Sequence, residues 1–277
     1  MAFDPVRLPP GARLPILGTR VADIAPDVLV VGDPDRARAV SALLTDVRAV
    51  SAVREYVVFT GTHEGRPVTV ASHGVGAAGA SIAFTELCRA GAARIIRVGT
   101  AGGMQPEVVA GDVVVATAAV RDEGSSERLV PAAFPAVADP ELTASLWSRV
   151  RRAADPGSGP ADASATGEGV GSRRGAAATP RTHRGIVLTS DLFYPGPMLG
   201  SGLAAWQNVG VVATEMELSA LFVIASLHRV RAAGVLAIDG NPLASQDEQM
   251  AGYRPRGPLV AAAVERSAAA ALVALGS

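Results

Sequence analysis

Apolar, β-branched runs alternate with amphipathic stretches along most of the chain. Val28 to Val31 is wholly apolar and stops at Gly32, the pattern of a strand buried on both faces. Asp35 to Leu44 follows, with Ala37, Val40 and Leu43 at helical spacing on one face. Val57 to Thr60 and Pro67 to Ser72 flank Glu64-Gly65 and predict a strand pair around a turn. Ser81 to Ala90 predicts a helix, and Ile95 to Gly99 and Val113 to Ala116 predict short strands. Gly185 to Thr189 and Val235 to Ile238 add strands, and Glu215 to Leu227 and Leu259 to Leu275 add helices. Such alternation predicts an α/β domain whose mixed or parallel sheet is covered by helices on both faces.

One stretch breaks the pattern. Ala154 to Thr182 is dominated by Gly, Ala, Ser, Pro and Thr. Without large apolar groups it cannot offset its own ordering entropy. It reads as a flexible surface insertion (residues 154–182) within one domain spanning 1–277, because strand-helix alternation resumes after it. Hydrophobic residues make up 49% of the 277, enough for a sizeable core. The 25 basic and 26 acidic residues leave a net charge of -1, which argues against a non-specific nucleic-acid binder. Every basic residue is arginine, a compositional bias more than a functional sign. The single cysteine, Cys88, excludes an internal disulfide and reads as a small core residue. Neither a leader pattern nor a long uncharged apolar run is seen, so the expected location is the cytoplasm, with no membrane contact.

Candidate chemistry gathers in glycine-rich segments after predicted strands. In Val30-Val-Gly-Asp-Pro-Asp-Arg36, a strand ends and a helix begins beside an arginine. Helix amides plus a guanidinium suit an anion, although an Asp-Pro-Asp turn is equally an ordinary N-cap. In Arg97-Val-Gly-Thr-Ala-Gly-Gly103, an arginine sits within a buried strand, which demands an anion or a paired core carboxylate. Thr100 adds a hydroxyl there. Ser72-His-Gly-Val-Gly-Ala-Ala-Gly79 is a third such turn, in which His73 reads as a satisfied polar residue. Ligands of α/β sheets bind beyond the carboxyl ends of strands, so three such turns suggest one phosphate-sized site. Neither the dinucleotide fingerprint nor a P-loop is present. Finally, Thr214-Glu-Met-Glu217 lies where a strand gives way to a helix. Its two carboxylates are expected to point in different directions, one toward a sugar; a Glu-rich helix start is the plain alternative.

Taken together these segments resemble the hexameric nucleoside phosphorylases, most of all the uridine phosphorylase branch. The resemblance rests on Val31-Gly-Asp-Pro-Asp-Arg36, Arg54-Glu-Tyr56, Arg97-Val-Gly-Thr-Ala-Gly-Gly-Met-Gln-Pro106, Phe134-Pro-Ala-Val-Ala-Asp139, Ser190-Asp-Leu-Phe-Tyr-Pro-Gly196 and Thr214-Glu-Met-Glu217, in that order. It implies a three-layer α/β/α fold with a central mixed sheet and a pentosyltransferase that needs inorganic phosphate but no cofactor or metal. By the same resemblance Gly32, Arg36, Arg97 and Thr100 would bind phosphate. Arg54 would be lent by a neighbouring subunit, making a dimer the smallest active unit of a homo-oligomer, with a hexamer as the full assembly. Met216 and Glu217 would contact ribose, and Phe193 would stack near base or sugar.

Departures from the family pattern are informative. Where uridine phosphorylases carry a base-holding glutamine and arginine, this chain has Pro197 and Leu199, neither able to hydrogen-bond through its side chain. Where an N-terminal histidine would meet the sugar 5′-hydroxyl, Pro15 or Ile16 stands, which suggests a 5′-modified nucleoside. Purine-type relatives protonate the base with an aspartate after the last strand; here Ala237-Ile-Asp-Gly-Asn241 aligns Gly240 with it, flanked by Asp239, a base donor or only a turn-capping aspartate, and by Asn241, a candidate ribose or base contact. A purine-type phosphorylase, a nucleoside hydrolase and a non-catalytic nucleoside-binding protein are therefore the alternatives to a uridine phosphorylase-like enzyme.

Overall fold

A computed structural model describes residues 7–154, 180–194, 196, 198, 200, 202–243 and 257–277. Ten strands form one mixed sheet: β1 (Asp27–Val31), β2 (Thr45–Val53), β3 (Tyr56–His63), β4 (Arg66–Ser72), β5 (Arg94–Gly103), β6 (Val113–Asp122), β7 (Ala136–Val137), β8 (Thr182–Ser190), β9 (Ala213–Glu215) and β10 (Arg231–Gly240). Helices α1 (Pro34–Ser41), α2 (Ala77–Arg89), α3 (Gly124–Glu127), α4 (Pro140–Ala154), α5 (Leu203–Asn208), α6 (Leu218–His228) and α7 (Pro258–Leu275) connect or follow them.

Strand alternation explains the three layers. In β1, Val28 and Val30 face one core with Phe84 and Leu87 of α2 and Leu221 and Phe222 of α6. Leu29 and Val31 face the other, with Val40 of α1, Leu142 and Leu146 of α4 and Val260 and Leu272 of α7. β5 and β10 divide their side chains the same way: Ile95 and Leu236 on the first face, Ile96 and Val235 on the second. Helices thus cover both faces, as the apolar runs require.

β5 is the hub. It pairs in parallel with β1 and β10, and its last residues pair antiparallel with β9. Since β10 also pairs with β6, β6 with β8 and β8 with β9, these five strands close a ring. The remaining strands β1, β4, β3 and β2 extend from it as an open wing.

Several expectations need correcting. Leu43 lies beyond the end of α1 and is 42% exposed, because the helix stops at Ser41 and the chain turns into β2. The segment Arg97 to Gly103 is strand, not turn: β10 on one side and β9 on the other supply ladder partners as far as Gly103. Glu215 ends β9 and does not belong to α6, which starts at Leu218. β2 carries no apolar alternation because most of it is exposed. The greater part of the Gly/Ala/Ser-rich insertion, residues 155–179, lies outside the described residues. Cys88 is buried in the first core as expected, and burial pushes its thiol up to about 12.

Phe222 is completely buried between sheet and α2. Phe222→Ala is expected to destabilise the protein by about 3–5 kcal/mol, read from the shift of its guanidinium unfolding midpoint at unchanged slope.

Candidate active site

The site grows from the ends of β1 and β4. At the end of β1, Asp33 caps α1 by accepting from the Asp35 amide at 2.8 Å, and Pro34 occupies the first turn. This places half-buried Arg36 in the first turn of α1, beside Gly32. Beyond β4, the His73 amide donates to the Val31 carbonyl at 2.9 Å and the Gly74 amide to the Gly32 carbonyl at 3.0 Å. The two predicted glycine turns are therefore bonded to each other. Gly76, with φ of 90°, needs the freedom of glycine, and its amide donates to Glu217 Oε1 at 2.6 Å.

Arg97 of β5 reaches the same point from beneath. Its guanidinium folds back over Gly99: a Cβ there would sit 2.7 Å from Cζ. Arg97 Nη2 pairs with Glu217 Oε2, and Nη1 lies 3.4 Å from Glu215 Oε2. All three side chains are buried. Glu215 is fixed by what it accepts: the Glu217 amide at 2.8 Å, the Leu218 amide at 3.0 Å and the Thr189 hydroxyl at 2.5 Å. It is the anionic cap of α6. Burial, with the Glu217 charge beside it, pushes its carboxyl upward, while Arg97 and the Thr189 hydroxyl pull the other way. The expectation that Glu215 and Glu217 point in different directions is thus overturned. The extended turn between β9 and α6 brings both carboxylates onto one guanidinium.

Other sequence-selected residues lie on several elements of the fold. Thr100 is half-buried on β5, where its Cα pairs with Ala237 of β10. Asp239 is the residue skipped where the β10–β5 register shifts between Ile238 and Gly240, a bulge that re-aims a side chain. Asp239 is 8% exposed. Met216 lies half-buried between the two carboxylates in sequence. Phe193 is half-exposed, its ring edge-on to Tyr194 with centroids 4.9 Å apart. Asn241 is exposed and its Oδ1 accepts from the Leu243 amide at 2.9 Å, an Asx turn. Arg54 occupies the β2–β3 turn with φ of 55° and an exposed side chain. The Ile16 amide donates to Glu86 at 3.0 Å and its side chain is exposed. Pro197 and Leu199 lie outside the described residues. Phe134 to Asp139, part of the family-like pattern, is scaffold: Arg121 holds the Phe134 carbonyl at 2.6 Å, and Asp139 caps α4 and pairs with Arg231.

Sequence reasoning passed over the Gly76 amide and the space above Gly99, since neither glycine differs in type from its neighbours. It also misread His73. The imidazole is fully buried, edge-on to Phe84 at 5.2 Å, and neither ring nitrogen has a hydrogen-bond partner among the described residues. Burial first and the Arg97 charge second hold it well below the ordinary histidine value. The Gly74 carbonyl offsets part of this without reaching hydrogen-bonding geometry. Among the described residues, no group of three or more His, Cys, Asp or Glu is placed to hold a metal.

Functional groups gathered at the carboxyl ends of β1 and β4 and at the β9–α6 junction define an α/β enzyme. The Phosphorylase superfamily pattern matches residues 26–275. The chain is 38% identical over 234 residues to a uridine phosphorylase of Treponema pallidum, covering 81% of each chain. It is 34% identical over 223 residues to a purine nucleoside phosphorylase of Plasmodium vivax, covering 80% of this chain and 81% of that one. The crystal structure of purine nucleoside phosphorylase from Toxoplasma gondii in complex with immucillin-H superposes with a TM-score of 0.81 at 29% identity, covering 97% of both chains. The chain belongs to the phosphorylase superfamily. The resemblance to nucleoside phosphorylases, which are pentosyltransferases, holds across the whole fold.

Gly99→Ala is expected to displace the Arg97 guanidinium and lower kcat/KM at least tenfold while the fold persists, checked by steady-state kinetics beside circular dichroism. His73 supplies a pH prediction. Its folded pKa lies below its unfolded value near 6.5, so the unfolded chain binds the extra proton and stability rises with pH up to that value. Acidification below 6.5 should cost up to about 1.4 kcal/mol per pH unit through this group. His73→Phe should flatten that slope in denaturant titrations from pH 7 to 5.

Proposed function

We propose that the protein cleaves the N-glycosidic bond of a nucleoside with inorganic phosphate, giving free base and pentose 1-phosphate. One observation carries this: a buried arginine and a buried carboxylate, Arg97 and Glu217, meet beside the bonded Gly32 and Gly74 turns. A cation matched to an oxyanion thus adjoins an acceptor matched to sugar hydroxyls, as a reaction at the carbon between them requires.

The roles follow from chemistry and from the family resemblance. Gly32, Arg36, Arg97 and Thr100 hold phosphate, and Arg54 of a neighbouring subunit completes the cluster. Glu217 accepts from the ribose hydroxyls with Met216 beside it, and Phe193 covers the base or sugar. As the C1′–N bond lengthens, its electron pair leaves with the base and positive charge grows at C1′. The phosphate anion beneath stabilises that charge, then closes a C1′–O bond. The base takes up one proton, which Asp239 supplies from the β10 bulge, with Asn241 fixing the turn behind it. Phosphate is a co-substrate, and the chemistry calls for no cofactor.

The enzyme acts as one domain spanning 1–277 with the 154–182 insertion, in a cytoplasmic homo-oligomer whose smallest active unit is a dimer and whose full assembly is a hexamer. Two features bear on the substrate. A proton donor at Asp239 favours a purine-type leaving group as second reading, since Pro197 and Leu199 carry no side-chain donor for a uracil edge. Pro15 and Ile16 in place of a histidine favour a substrate altered at its 5′ position.

The test is release of free base from uridine, inosine and their 5′-deoxy forms, with and without phosphate. Release only with phosphate is expected, faster for the 5′-deoxy forms, and Arg97→Met should lower kcat/KM roughly 10²- to 10³-fold. Release without phosphate would point to a hydrolase, and none under either condition to a binding protein.

A further inference from the structure

Buried polar atoms nearly always find a partner, so a cluster without one marks a second state or a missing ligand. Among the described residues, four atoms of this site lack a hydrogen bond: Nδ1 and Nε2 of His73, and Nε and Nη1 of Arg97, the last held only by the Glu215 carboxylate at 3.4 Å. They are chemically complementary. A guanidinium has only donors, whereas a neutral imidazole always keeps one lone pair as an acceptor.

Geometry holds the imidazole at the site. The His73 and Gly74 amides bond to the Val31 and Gly32 carbonyls, which pins the turn. The edge-on contact with Phe84 at 5.2 Å supports the ring from the α2 side. Its Cε1, the carbon between the two nitrogens, lies 3.8 Å from where a Gly32 Cβ would be. The edge of the ring that carries Cε1 therefore lies beside the Gly32 turn, where a Cβ would also come 3.3 Å from the Gly74 carbonyl oxygen. Of the charges around His73, Arg97 acts on it most strongly and Arg36 follows.

In the structure Arg97 spends Nη2 on Glu217, whose other oxygen takes the Gly76 amide. In this arrangement both oxygens of Glu217 are already engaged by protein donors. Under the proposed function, which this inference presupposes, phosphate draws Arg97 away and releases Glu217. The guanidinium then has more donors than one phosphate edge can take, in a place closed to water.

We propose that His73 is a positioning residue for Arg97: its imidazole accepts a hydrogen bond from the guanidinium once phosphate has displaced Glu217, holding Arg97 in its phosphate-binding orientation. No bond to substrate is needed. His73 would act on phosphate affinity through Arg97 alone and leave nucleoside contacts as they are.

His73→Phe keeps a ring and removes both nitrogens, and His73→Asn returns a side-chain acceptor. Phosphate binding without nucleoside is measured by calorimetry, and steady-state KM values for both substrates accompany it. The expected result is an approximately tenfold rise in phosphate Kd and KM for His73→Phe, a nucleoside KM within about twofold of wild type, and partial recovery in His73→Asn. In an Arg97→Met background, His73→Phe should cause no further loss. Unchanged phosphate affinity in His73→Phe, or the same tenfold loss without Arg97, overturns the proposal. Arg97→Met binding phosphate as tightly as wild type overturns the assignment of Arg97 itself, and the proposal with it. Should His73→Phe not fold, ¹⁵N-histidine spectra of the wild-type protein decide. Phosphate should shift the lone-pair nitrogen of His73 toward the value of a hydrogen-bond acceptor, and an unmoved resonance overturns the proposal.

Discussion

Arg97 and Glu217 stand 120 residues apart in the chain and meet where almost no water reaches. Neither is tolerable there alone. Removing one partner of a buried pair leaves an uncompensated charge and costs about 3–5 kcal/mol, more than most single contacts contribute. Everything around the pair can be understood as keeping it in register. β5 carries Arg97 with a glycine two residues on, so the guanidinium has room to fold back. The β9–α6 junction carries Glu217, and Glu215 fastens that junction by capping the helix and taking the Thr189 hydroxyl. Thr189 is in turn bonded to the Ser219 amide, and the Ser219 hydroxyl to Glu123, the cap of α3. A chain of buried polar groups therefore runs from the pair through three elements, with each acceptor used.

The sheet explains why these groups meet at all. Because β5 is bonded to β1, β10 and β9, it lies where the open wing joins the closed ring. Residues at its carboxyl end adjoin both halves. The Gly32 and Gly74 turns belong to the wing, whereas Glu215, Glu217 and Asp239 belong to the ring. At the site, the Gly76 amide donating to the Glu217 carboxylate spans the two. A ligand placed there touches strands that pair with different partners, a common position for a site in an α/β sheet.

Much of this was legible from the residues. Wholly apolar runs such as Val28 to Val31 announce a strand covered on both sides, and glycine turns after them announce a site. What could not be read has physical causes. The exposed strand β2 lacks the alternation that burial imposes. Ladder partners distant in sequence turned an apparent glycine loop, Arg97 to Gly103, into strand. Two residues apart on a helix, Glu215 and Glu217 would fall on nearly opposite sides, but Glu215 ends β9 and α6 starts only at Leu218, so the turn between them brings both to Arg97. His73 reads as an ordinary turn residue because the lack of a hydrogen-bond partner among the described residues is a property of space, not of sequence.

Under the proposed function, the same pair bears on why the site would take phosphate and not water. In the free protein the strongest donor of the site is already matched by Glu217, and Glu217 is matched by Arg97 and Gly76. Water carries no net charge and cannot compete with a carboxylate for a buried guanidinium. A phosphate anion can, because it offers several charged oxygens and Arg36 adds a second cation at the start of α1. Under the proposed function, displacement of Glu217 frees the carboxylate for the sugar. On that reading the sugar acceptor stays engaged until the anion arrives, which would couple the two substrates through one side chain. That coupling disfavours hydrolysis without any barrier dedicated to excluding water, and it follows from placing one cation between two possible anions.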